Sequence, residues 1–160
     1  MTSFSKKFDV RRSMVSPHFM ALVHPQSTII PGLIAGVLSV FTSWLWMGVI
    51  FHSFQKRTPD TWRRESGLSY AASSAIHILA ALAIAIFFVV LRQHAPDLFA
   101  SGIHCVVAFA FTLWAVLALP IILEAAIFIK LHPLVVLGQL LDWLTTSLLA
   151  TLITAWWPRR

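Results

Sequence analysis

Four stretches of this chain, residues 29–51, 68–91, 103–129 and 134–157, each run for more than twenty residues and share only two acidic side chains and no Lys or Arg. At about 1.5 Å of rise per residue, each is long enough as a helix to cross a hydrocarbon layer of ~30 Å. Lipid offers backbone amides no hydrogen-bonding partner, so a segment that enters it must satisfy its own polar groups by coiling or by closing into a barrel. The apolar residues here run continuously instead of alternating, which selects helix over barrel strand. The chain is therefore expected to be all-α: a four-helix transmembrane bundle in residues 29–157, preceded by a short basic arm in residues 1–28.

Composition agrees. Charged residues make up 11% of the 160, and 58% are hydrophobic, whereas a soluble domain carries roughly 25% charged residues. The net charge of +6 raises the question of nucleic acid. However, the basic residues (Lys6, Lys7, Arg11, Arg12; Lys56, Arg57, Arg63, Arg64; Arg159, Arg160) all flank apolar runs. There they meet lipid phosphates and anchor helix ends, and no recognition helix accompanies them. Membrane lipids are the expected partners, and nucleic acid is not.

In the arm, Phe4 and Phe8 would share one helical face, and Pro17 and Pro25 break any long helix. It reads as lying on the membrane surface or on a partner, with a disordered tail as the alternative. No cleavable leader is evident in it. Cys105 stands alone in the sequence and indicates neither disulfide nor zinc site. With four spans, the amino end, second loop and carboxyl end share one side and hold seven Lys and Arg, against five on the other. The positive-inside rule then leans toward both termini in the cytoplasm, by a margin small enough to leave a dual-topology dimer open. Tryptophans near helix ends (Trp44, Trp46, Trp62, Trp156, Trp157) read as interfacial anchors, with Trp114 and Trp143 as the exceptions. The small residues of the second run, from Ala71 to Ala85, make it the expected centre of the bundle.

Ionisable groups inside spanning helices are costly and are candidates for function by default. His77, Glu124 and Asp142 qualify, with Gln139 one turn from Asp142. Counted from the helix ends facing the first and third loops, His77 lies ~10 Å deep, Glu124 ~9 Å and Asp142 ~12 Å. Equal depth in one leaflet predicts a shared polar cluster. Three roles are open to it: structural hydrogen bonding, proton or ion handling by two carboxylates and an imidazole, and ligation of a metal or tetrapyrrole through His77. His104, beside Cys105, reads as interfacial. No nucleophile, metalloprotease or phosphate-loop motif occurs, so an enzyme is not expected.

Several short motifs carry a family resemblance. Leu45-Trp46 closes the first run, and Trp62-Arg63-Arg64-Glu65-Ser66-Gly67-Leu68-Ser69 leads into the second. Ile127-Phe128 precedes Pro133-Leu134, and the last run ends in tryptophan. From about residue 33 onward the chain resembles the DUF1761 family of small bacterial membrane proteins. It departs from them in a longer Phe51–Trp62 stretch and in lacking a proline soon after Trp46. The resemblance implies the four-helix fold and a bacterial inner-membrane setting, and it transfers no activity. Three functional classes follow from the whole reading. The first is an accessory or structural subunit docked on a larger membrane complex or on further copies of itself. The second is a small proton- or ion-coupled transporter. The third is a binder of pigment or haem, with lipid, carotenoid or tetrapyrrole as ligand.

Overall fold

A computed structural model describes residues 25–62 and 64–158, and these are helical almost throughout. Helix α1 spans Pro25–Ser43 and continues as a widened turn over Trp44–Ile50. A short α2, His52–Gln55, follows in the first loop. Helix α3 spans Gly67–His94. Helix α4, Ile103–Leu113, passes through a second widened turn, Trp114–Ala118, into α5, Leu119–Phe128. Helix α6 spans Pro133–Trp156. Four helical stretches, Ser27–Ile50, Gly67–His94, Ile103–Phe128 and Pro133–Trp156, are long and apolar enough to cross a membrane. The protein is a multi-pass membrane protein built as an all-α four-helix bundle.

The first helix begins four residues earlier than residue 29. Pro25 opens it where a missing amide hydrogen costs nothing, instead of breaking it. Of the expected 1–28 arm, the first 24 residues lie outside the described part. The helix ends are encoded locally. Ser66 Oγ accepts the Ser69 amide at 3.1 Å to cap α3, and His132 Nδ1 accepts the Leu134 amide at 3.2 Å to open α6 behind Pro133. Gly102, at φ +69°, turns the chain into α4 in a conformation that side chains disfavour.

Lipid is as apolar as leucine, so burial of apolar surface does not hold these helices together; close packing and interhelical hydrogen bonds do. Helices α1, α3 and α6 meet around three fully buried alanines, Ala35, Ala81 and Ala150. The face of α1 turned inward reads Thr28, Pro31, Gly32, Ala35, Gly36 and Ser39, all buried. A Cβ added at Gly36 would stand 2.7 Å from the Ile78 Cα, so α1 and α3 touch backbone to backbone there. At the other end of α3, Phe88 and Val89 pack with Val106 of α4, and Phe99 and Phe109 complete a ring cluster.

The last helix, not the second, is the most enclosed: 39% of its most apolar window is buried, against 28% for α3. Much of the Ala71–Ala75 stretch is exposed. The reason lies in α6's hydroxyls. Ser147 and Thr151 return their hydrogen bonds to the Trp143 and Ser147 carbonyls of their own helix. So paired, they act as small neutral residues that admit a neighbouring helix.

Both widened turns have local causes. Leu119 N–H reaches the Trp114 carbonyl five residues back, one residue before Pro120, which has no amide hydrogen to give. In the first, the Phe51 amide reaches Trp46 O at 2.8 Å, and Gly48 leaves room for the Trp44 indole. The first and third loops join on one side of the bundle. There Thr61 Oγ1 donates to Lys130 O at 2.9 Å, and the Phe54 ring stacks on His132 at 5.1 Å.

Candidate functional site

Two helices deliver the ionisable pair from the same periodic stripes that form the core. On α3, His77 is followed at four-residue steps by Ala81 and Ala85, all buried. On α6, Val135, Gly138, Asp142, Thr146, Ala150 and Thr154 recur at three or four and are buried. Each stripe turns its polar member inward with its small members.

There His77 Nε2 lies 3.1 Å from Asp142 Oδ2, with both side chains buried. Ser43, the last residue of α1, donates its hydroxyl to the same Oδ2 at 2.8 Å. The other ring nitrogen, Nδ1, is 2.9 Å from the Ser73 carbonyl. Trp143 stacks on the imidazole face, with centroids 5.2 Å apart and planes 15° apart. Asp142 Oδ1 is buried and meets no hydrogen-bond donor among the described residues.

Elementary proton counting follows. A carbonyl oxygen only accepts, so Nδ1 carries a hydrogen. Between Nε2 and Oδ2 there is then one proton, giving either imidazolium and carboxylate or neutral imidazole and carboxylic acid. Both forms are net neutral. Gaining or losing a proton charges the pair, and Oδ1 offers the remaining acceptor. Three helices hold this group, Ser43 from α1, His77 from α3 and Asp142 from α6, and its chemistry allows it to take up or release a proton.

A cavity of about 710 Å³ opens beside it, lined by α1, the widened turn, α2 and the start of α3, with His77 and Ser43 in its wall. The sequence reading missed Ser43 and Ser73. Their signal was available: Ser43 lies four residues after the buried Ser39, and Ser73 lies four before His77.

The expected four-residue cluster is only half assembled. Glu124 is exposed and meets no hydrogen-bonding or ionic partner among the described residues. The single buried residue of α5 is Ile122. Two residues further on at about 100° each, Glu124 points to the opposite side of the helix. Equal depth therefore did not mean equal azimuth. Gln139 is half-buried and makes no hydrogen bond to the pair among the described residues. Among the described residues no three of His, Cys, Asp and Glu gather to hold a metal ion, so a site of two carboxylates and an imidazole is not formed. An axial bond from His77 to a tetrapyrrole iron would have to displace Asp142 or Ser73 from a ring nitrogen.

The tryptophans divide. Trp44 and Trp156 are exposed near helix ends, as anchors are; Trp157 follows the helix end and is half-buried. Trp62 is half-buried in the first loop, with Nε1 donating to Thr58 Oγ1 at 3.3 Å. Trp46 is instead an interhelical clamp, its Nε1 donating to Thr145 Oγ1 at 3.1 Å. Trp114 similarly ties to Leu140 O at 2.9 Å, since an indole N–H buried in lipid requires an acceptor. No family model, curated protein or solved structure matches the chain.

Proposed function

We propose that the protein is a proton-coupled carrier of a small solute across its membrane. One observation carries the reading: His77 Nε2 lies 3.1 Å from Asp142 Oδ2 inside the bundle, at the wall of a cavity large enough for a small molecule. A solute entering the cavity alters the field at the pair and so its proton occupancy, which is the coupling such a carrier needs. With the termini cytoplasmic, as the distribution of basic residues favours, the first loop, whose His52 and Gln55 line the cavity, lies on the other side of the membrane. A rapid pH jump applied to proteoliposomes on a solid-supported electrode tests this. The wild type is expected to give a charge-displacement current, and Asp142→Asn to reduce it about tenfold. Absence of current in the wild type, or an equal current in Asp142→Asn, removes the proposal.

Glu124 favours a second reading, in which the protein docks on a larger assembly or on another copy of itself. The carboxylate sits among exposed Ile121, Leu123, Ile127 and Phe128, and hydrocarbon is a costly surrounding for a charge. A partner helix bearing a hydrogen-bond donor removes that cost. In native gels of membranes solubilised in mild detergent, the wild-type chain is then expected in a larger complex and Glu124→Leu is expected to leave it. Migration of the wild type as a single 17.9 kDa chain counts decisively against this reading.

A further inference from the structure

The cavity has a chemical character of its own. Helices α1 and α3 touch at Gly36 and Ile78 and then diverge. One turn further on, Val40 and Ser74 both line the cavity. The widened turn at Trp44–Ile50 and its cap, Phe51, follow, with Met47 and Phe51 packed against Gly138 of α6. The opening is thus built into the packing.

Three features of the lining select an occupant. Among its twelve residues none is Lys, Arg, Asp or Glu, and His77, which can pair as an ion, is already matched by Asp142, so no unmatched charge is left to compensate a charged ligand. Five of the twelve, Phe41, Trp44, His52, Tyr70 and His77, are rings, which favours a flat partner through stacking. The side chains of His52, Gln55 and Ser73 line the cavity without a hydrogen bond among the described residues, and so remain available to a ligand's polar atoms. The route in is also visible. Phe41 is 64% and Trp44 65% exposed, and both belong to a membrane-spanning stretch, so this wall of the cavity lies at the outer surface of the bundle, on the side turned to lipid.

We propose that this cavity binds an uncharged, lipid-soluble molecule built on a flat ring bearing oxygen, of the phenol or quinone class, which enters between α1 and α3 from the bilayer. Its ring lies against Phe41 and Trp44, and its oxygens take hydrogen bonds from the Ser73 hydroxyl and the His52 and Gln55 side chains. The inference deepens the carrier reading by naming the solute class, and it rests on that reading for the transport of what is bound.

The test is equilibrium binding of tritiated 2-methyl-1,4-naphthoquinone to the full-length protein in lipid nanodiscs, with protein-free discs subtracted. Saturable one-to-one binding is expected. Ser73→Phe, which fills the cavity, is expected to weaken it at least about tenfold. Trp44→Ala, an exposed position that does not burden folding, is expected to weaken it about fivefold. Leu79→Phe, on the lipid-facing side of the same helix, should leave it unchanged. No saturable binding, or wild-type affinity in a Trp44→Ala or a folded Ser73→Phe protein, overturns the proposal. So does equal competition by tetraphenylphosphonium, which carries a charge. A proton current without naphthoquinone binding sinks this inference and spares the carrier reading. Binding without current does the reverse.

Discussion

Gly36→Leu is expected to separate α1 from α3 and to destabilise the bundle by about 3 kcal/mol or more. The first atom of the new side chain would stand 2.7 Å from the Ile78 Cα and 3.2 Å from its carbonyl oxygen. Both are backbone, so no rotamer change relieves the contact. The better helix propensity of leucine offsets at most about 1 kcal/mol. Two further glycines calibrate the effect. At Gly32 the nearest obstacle is the Leu82 Cδ1 at 2.9 Å, the movable end of a side chain, and Gly32→Ala should cost only about 1 kcal/mol. Gly67 has nothing within 4 Å, and Gly67→Ala should fall within about 0.5 kcal/mol of the wild type. Unfolding in mixed micelles of rising sodium dodecyl sulfate measures the series. Wild-type stability in Gly36→Leu would mean that the two helices do not touch there.

Asp142→Ala is expected to cost about 3 kcal/mol, because it strips His77 and Ser43 of their common acceptor inside the bundle. An average interhelical hydrogen bond in a membrane protein is worth only about 0.6 kcal/mol. The larger figure reflects the imidazole left buried, not the strength of one bond. Removing both members should therefore hurt less than removing one. The paired replacement of His77 and Asp142 by leucine is expected to regain most of the loss, and a double-mutant cycle isolates the coupling. A loss in Asp142→Ala no larger than an average bond would mean that the pair is solvated in the folded protein. Its assignment as a buried, mutually dependent pair would then fail.

These two sites show how much was legible from residue order. His77 and Asp142 could be placed at one depth by counting from the helix ends, and the structure joins them. Glu124 matched that depth and faces outward. The distinction was present in the sequence as register. His77 steps to Ala81 and Ala85, and Asp142 is flanked by Gly138 and Thr146, whereas Glu124 has Pro120 and Phe128 at the same steps. Small neighbours four residues away mark the face where another helix approaches, and large ones mark the face left to lipid. Gly32 and Gly36 signal the α1–α3 contact in the same way. The density of small residues from Ala71 to Ala85 points to the second helix as the centre, but the buried stripe of α6, with its threonines, makes that last helix the more enclosed.

Sequence by itself determined that the chain is helical, that it has four segments able to cross a membrane, and where each begins and ends within a few residues. These follow from one-dimensional facts: the thickness of a hydrocarbon layer, the rise per residue, and the demand that every amide in lipid be paired. Only the tertiary structure decided which polar residues meet, that Ser43 joins the pair, and that a cavity opens where α1 leaves α3. Those depend on rotation about each helix axis and on two widened turns that shift it. Lipid imposes no preferred azimuth on a helix that is apolar all round, so only contact with the neighbouring helices fixes it.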